Sequence, residues 1–192
     1  NQYQKALENY NIVLKYEHNN ENAIEGRKKA LKMFEERIAE ILSKARKELA
    51  EKRFDPALVL YDEILAIDAN NAAALEGKRQ AQELKEGLAL RKKKSETYYQ
   101  RGMLAYNNKQ YKSAIIAFNQ AFEADDTNIK AKRMGEIAQK RFADYLNDIY
   151  EEGMAFSENK NYDAAIAKFD KVIAEDRDHP VAQKAKKQKI AL

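Results

Sequence analysis

Tyr111-Lys112-Ser113-Ala114-Ile115-Ile116-Ala117-Phe118 decides the fold, because its skeleton of aromatic, small residue three on and aromatic four further on is written four times. The other copies run Tyr3, Ala6, Tyr10; Phe54, Ala57, Tyr61; and Tyr162, Ala165, Phe169. Each continues to an apolar residue at Leu14, Leu65, Phe122 or Ile173, an acid at Glu17, Asp68, Asp125 or Asp176, a polar break, and then Ala23, Ala74, Ala131 or Ala182. Repetition at a long, near-constant period is the mark of a stacked array in which no unit buries its apolar face alone.

The breaks set the elements. His18-Asn19-Asn20, Ala69-Asn70-Asn71, Asp126-Thr127-Asn128 and Asp178-His179-Pro180 carry Asn and Asp, whose side chains satisfy orphan backbone groups at helix ends. A second set precedes the anchors, at Lys52-Arg53-Phe54-Asp55, Asn107-Asn108-Lys109 and Glu158-Asn159-Lys160-Asn161, with Asp55-Pro56 reading as an N-cap followed by a first-turn proline. Short helices are expected near 3–17, 55–68, 110–124 and 161–176, alternating with long ones. In the first long segment Ile24, Leu31, Phe34, Ile38, Ile41, Ala45 and Leu49 recur at helical spacing, so that 21–52 would make a helix about 48 Å long. Ala131, Met134, Ala138, Phe142, Tyr145, Ile149, Gly153 and Phe156 form a similar stripe.

Anchors at 3, 54, 111 and 162 lie 51, 57 and 51 residues apart. Six extra residues turn an ideal helix by about 600°, not a whole number of turns. The sequence therefore predicts a bend or break near Arg91 to Glu96, with Ser95 capping the helix that resumes, or else a continuous helix rotated out of phase. Units are expected at 1–20 (a second helix only), 21–70, 71–127, 128–178 and 179–192 of one repeat array, and the chain reads as a piece of a longer protein.

Segments 95–128 and 146–179 resemble the tetratricopeptide repeat family. The resemblance is carried by Tyr98, Gly102, Tyr111, Ala114, Phe118 and Ala121, and again by Ile149, Gly153, Tyr162, Ala165, Phe169 and Val172. Segment 38–71 follows less fully through Ile41, Ala45, Phe54, Ala57, Tyr61 and Leu65. The family's small residue lets two helices approach closely and its aromatics fill the space between neighbouring pairs. Family repeats recur every 34 residues; a period of 51 or 57 leaves 17 or 23 more to house, most simply by lengthening the first helix of each pair. The implied fold is an all-α, tetratricopeptide-like helical-hairpin solenoid with alternating short and elongated helices. The implied function is a non-catalytic protein–protein interaction scaffold that docks a partner protein or peptide, or another copy along the array.

Mapped from the family, the ligand-facing side of the first helix carries Tyr99, Met103, Tyr106 and Asn107, then Tyr150, Met154 and Glu158. Aromatics with Met on a polar side would make an adaptable apolar strip; the competing expectation is that the added helix length buries them against neighbouring pairs. Of the Lys, Asn and Arg set with which some members clamp a C-terminal carboxylate, Arg46 is the only match in kind, so tail capture is not expected.

The 192 residues carry 35 basic and 31 acidic side chains, a net +4 that describes mixed solvated faces more than a polyanion binder. The basic run Arg91, Lys92, Lys93 and Lys94 lacks interleaved aromatics; an RNA- or anionic-membrane-binding module, and a rigid helical spacer, stand as the alternatives to the scaffold. No enzyme is expected. The two histidines, His18 and His179, lie at breaks where capping is the ordinary role, no serine has a histidine at a suggestive spacing, and the adjacent acidic pairs point apart. No cofactor or metal is expected: there is no cysteine and no glycine-rich phosphate loop, and Gly26, Gly77, Gly102 and Gly153 read as packing residues. No stretch of 18 apolar residues spans a membrane, and compartment is left open between cytoplasm and bacterial periplasm.

Overall fold

The computed structural model describes residues 2–191. Among them lie eight helices and no strand: α1 Gln2–Tyr16, α2 Glu21–Ala50, α3 Phe54–Ile67, α4 Ala72–Asn107, α5 Tyr111–Ala124, α6 Ile129–Glu158, α7 Tyr162–Glu175 and α8 Pro180–Ala191. The fold is all-α, with short and long helices alternating as their breaks predict.

Each long helix starts on an asparagine. The Oδ1 atoms of Asn20, Asn71 and Asn128 accept from the backbone N–H of Ala23, Ala74 and Ala131 at 3.0, 3.1 and 3.0 Å. At the fourth such break His179 takes the place, its Nδ1 accepting from Val181 N–H at 3.3 Å. Each long helix also ends alike. Lys52, Lys109 and Lys160 stand at φ of 59°, 60° and 58°, and the N–H groups of Arg53, Gln110 and Asn161 reach back to the carbonyls of Glu48, Ala105 and Phe156 at 2.9 Å. This Schellman closure turns the chain sharply into the next short helix at the expense of a left-handed lysine. α3 differs from expectation at its start: it begins at Phe54 with Arg53 as an N-cap whose side chain makes no capping bond and pairs instead with Glu48 and Glu51, so Asp55 lies inside the first turn, where its carboxylate pairs with Lys85.

Two compact units comprise residues 1–89 and 90–192. In the first, the N-terminal half of α2 packs on α1 and its C-terminal half on α3. Ile38, Ile41 and Ala45 share one core with Ala57, Tyr61 and Ile64 of α3 and with Ala74 and Ala81 of α4. In the second, α6 does the same between α5 and α7: Met134 and Ala138 join the cluster around Phe118, whereas Leu146 and Ile149 join the one around Phe169, Val172, Val181 and Ala185. The 17 additional residues per repeat are therefore the half-helix by which one long element serves two short ones. Burying Tyr61, Phe118 and Phe169 completely stabilises by about 1.5–3 kcal/mol each.

Of the two expectations for the middle long segment, the break near Arg91 to Glu96 is absent and the continuous helix is present. α4 is one helix of 36 residues against 30 in α2 and α6, so the six extra residues are absorbed as helix. Residues 88–99 contain neither Gly nor Pro to interrupt it. Nor is Ser95 a cap. It is buried, its Oγ donating to the Ala121 carbonyl at 2.7 Å and accepting from Asn128 Nδ2 at 2.9 Å.

Candidate peptide-contact strip

The geometry around the family-mapped residues lies wholly within residues 90–192. Tyr99, Met103 and Tyr106 are half-buried on α4 and pack around the cluster of Ala105, Ala114, Phe118 and Ala138. Tyr150 and Met154 are half-buried on α6 against the cluster containing Phe169. Asn107 and Glu158, each in the last position of its helix, are exposed. The two sets repeat closely: Tyr99 tilts at 51° on Phe118 with ring centroids 5.7 Å apart, and Tyr150 tilts at 42° on Phe169 at 5.6 Å.

Beneath each ring pair lies a glycine. A Cβ on Gly102 would come 2.6 Å from the Phe118 ring, and one on Gly153 2.7 Å from the Phe169 ring. The small slot thus lets the short helix sink far enough for its aromatic to reach the tyrosine on the long helix and hold it in one orientation.

Two aromatic residues that sequence reasoning treated only as fold elements extend the strip. Tyr106 meets Tyr111 edge-on at 5.7 Å, and Tyr111 meets Tyr145 edge-on at 6.0 Å. Tyr145 donates through its hydroxyl to Glu175 Oε1 at 3.4 Å, and Lys112 Nζ donates to the Glu175 carbonyl at 3.0 Å. Tyr111, Lys112, Tyr145 and Glu175 line a cleft of about 390 Å³ with Lys109, Ile116 and Phe142, in the range that accepts a side chain or small ligand. The available signal was the aromatic at position 145 of the α6 stripe, one of five tyrosines, at 99, 106, 111, 145 and 150, spread over α4, α5 and α6; its partner Glu175, 30 residues on, has no sequence signature.

The basic run stands elsewhere and is partly engaged. Arg91, Lys92, Lys93 and Lys94 are all exposed. Arg91 Nε nevertheless donates to the Ala124 carbonyl at 3.3 Å at the end of α5, its guanidinium lies 3.9 Å from Asp126, and Lys94 Nζ sits 5.9 Å over the Tyr98 ring. Asp125, beside them, has its carboxyl held below the usual value, first by the Thr127 hydroxyl bonded to it and then, against the opposing effect of burial, by the Thr127 N–H and the charges of Lys92 and Arg91. Among the described residues no group of three or more acidic or histidine side chains is placed to hold a metal, and no helix is long and apolar enough to cross a membrane.

Against this geometry, the family model of the tetratricopeptide repeat matches residues 95–128. Residues 95–128 are a tetratricopeptide repeat. The matched tetratricopeptide unit comprises the second part of α4 with α5 and ends on Asn128, the cap of α6. A solved structure similar to the chain is the crystal structure of YrrB, described as a tetratricopeptide repeat protein with an unusual peptide-binding site; it is 21% identical over 80% of this chain and 97% of its own, with a TM-score of 0.22. A score that low does not carry YrrB's site over to this chain. No curated protein matches the sequence.

Proposed function

We propose that the chain is a non-catalytic scaffold that docks a partner protein by laying a short peptide segment of it along the strip Tyr99, Met103, Tyr106, Tyr150 and Met154, with Asn107 and Glu158 as polar contacts at its ends. The observation that carries this reading is the duplicated ring geometry, Tyr99 on Phe118 and Tyr150 on Phe169, at nearly the same distance and tilt. A tyrosine already fixed by its own core gives up little side-chain entropy on binding, so its remaining edge offers contact area at low entropic loss. Met103 and Met154, one turn on from each tyrosine, adapt to varied side chains.

Support for a non-catalytic role comes from the same chemistry. His179 uses its Nδ1 to hold the start of α8, with its ring edge-on to Phe142 at 5.8 Å, which leaves that nitrogen no free acceptor for base catalysis. A test is to pan a displayed library of random peptides against the chain. Enrichment of related sequences that fail to bind the folded Tyr99→Ala, Met103→Ala, Tyr150→Ala, Met154→Ala variant supports docking through the strip; no enrichment supports a spacer, and retention by the variant moves the contact elsewhere.

A further inference from the structure

A groove of about 490 Å³ runs between the C-terminal half of α4 and α5, with Tyr98, Arg101, Leu104, Ile116 and Ala117 in its walls. None of the tyrosine–methionine strip residues lines it. Leu104 is 65% exposed on the α4 wall and Ile116 is 53% exposed on the α5 wall. The volume is that of a ligand site, and large aliphatic side chains grouped in one groove mark an interaction surface in a way that scattered ones do not.

The neighbouring repeats carry different residues here. Fifty-one residues on, Glu152 and Lys168 stand in the places of Arg101 and Ala117 and pair with each other across α6 and α7, while Ala155 and Ala167 replace Leu104 and Ile116. Fifty-seven residues earlier, Lys47 and Val59 hold the two wall positions, and Lys44, the counterpart of Arg101, pairs with Glu40 along its own helix at 2.5 Å. Of the three, only the middle repeat has a large aliphatic on both walls and a cation that its own helices leave unpaired.

Arg101 is the one charged side chain lining the groove, and among the described residues no carboxylate pairs with it. Glu96, on the same helix, accepts instead from Gln100 Nε2 at 2.5 Å. Lys93, exposed as well, joins Arg101 and Leu104 along the outer edge. A guanidinium beside apolar surface takes a carboxylate through two parallel hydrogen bonds, and the attraction grows as docking displaces water.

We infer that this groove docks an acidic–apolar segment of a partner protein. Its large aliphatic or aromatic side chains fill the space between Leu104 and Ile116, and an Asp or Glu about one helical turn away meets Arg101, which lies three residues before Leu104 on α4. A single guanidinium between apolar walls suits a carboxylate on a peptide; a polyanion is held by a row of cations. The groove shares no residue with the strip and is independent of the strip's occupant.

The test uses two displayed peptide libraries, alike except that the charged positions are Asp or Glu in one and Lys or Arg in the other. The parent chain is expected to enrich related peptides from the acidic library. Added to the ¹⁵N-labelled chain, these should shift the amides of Arg101, Leu104, Ile116 and Ala117. Arg101→Glu is expected to weaken them at least about tenfold by like-charge repulsion and to enrich peptides from the basic library instead. The double variant Leu104→Ala, Ile116→Ala, which carries the last repeat's pair, is expected to weaken them as much; should either variant lose helicity, the other decides. No enrichment from the acidic library, shifts centred on Tyr99, Met103, Tyr150 and Met154, or unchanged binding to the folded variants would overturn the inference. The second of these results would still support the strip. Equal shifts of the groove amides by polyuridylate would overturn it in favour of RNA. Concentration-dependent shifts without peptide, with dimer in sedimentation, would do so in favour of a second copy.

Discussion

Gly102 lies directly beneath the ring of Phe118, so close that a Cβ there would stand 2.6 Å from both Cδ1 and Cε1. The ring is fully buried and has no room to retreat. Overpacking in Gly102→Ala costs up to about 3 kcal/mol against the roughly 1 kcal/mol that alanine gains over glycine in helix propensity, so residues 90–192 are expected to lose up to about 2 kcal/mol net. Gly87, in the same helix, has nothing within 4 Å of such a Cβ. Gly87→Ala should show that propensity gain alone, raising stability by up to about 1 kcal/mol. Urea unfolding followed by helicity checks the opposite signs.

Ser95 stands in the row position held by Ile38 and Leu146 elsewhere, and it ties three helices: its own, the end of α5 through the Ala121 carbonyl, and the cap of α6 through Asn128. Ser95→Ala leaves Asn128 Nδ2 without this acceptor, while the Ala121 carbonyl keeps its bond from Asp125 N–H at 3.2 Å. The expected loss is about 1–2 kcal/mol, with earlier amide exchange at the start of α6, measurable by hydrogen exchange.

Most of the fold was legible because it rests on period. The anchors, the glycine slots and the Asn caps are local signals, and each stands where its spacing places it. For α4 the sequence left a break and a continuous helix both open and did not choose between them. A phase argument over six residues treats helices as fixed rods, whereas Ser95 accommodates the polar position by bonding to residues 26 and 33 positions away. Asp55 misled for a related reason: Schellman closure at Lys52 already sets the start of α3, so the helix begins one residue before the expected cap. Of the candidate strip, sequence placed the tyrosines and methionines on their helices. Their half-burial against the neighbouring long or terminal helix depends on how α6 and α8 pack, as does the Tyr111–Tyr145 extension.

The Asp125 carboxyl is held below its ordinary value chiefly by the Thr127 hydroxyl, which donates to Oδ1 at 2.6 Å, with the Thr127 N–H at 3.1 Å assisting. A depressed folded-state value means that this group stabilises the fold above the unfolded carboxyl's pKa, near 3.8–3.9, and that the contribution is lost as pH falls through the folded value. Thr127→Val keeps the N–H and removes the hydroxyl. The Asp125 titration, followed by carboxyl ¹³C shift, should move upward, and acid unfolding should begin at a higher pH.

Docking of a peptide on the proposed tyrosine–methionine strip is tested by calorimetric titration of a panned peptide into the parent chain and into the Tyr99→Ala, Met103→Ala, Tyr150→Ala, Met154→Ala variant, with helicity confirming that the variant is folded. The variant is expected to bind at least tenfold more weakly, a loss of about 1.4 kcal/mol, with Lys93→Glu, Lys94→Glu binding as the parent does. Equal affinity for the parent and the strip variant would rule docking through the strip out.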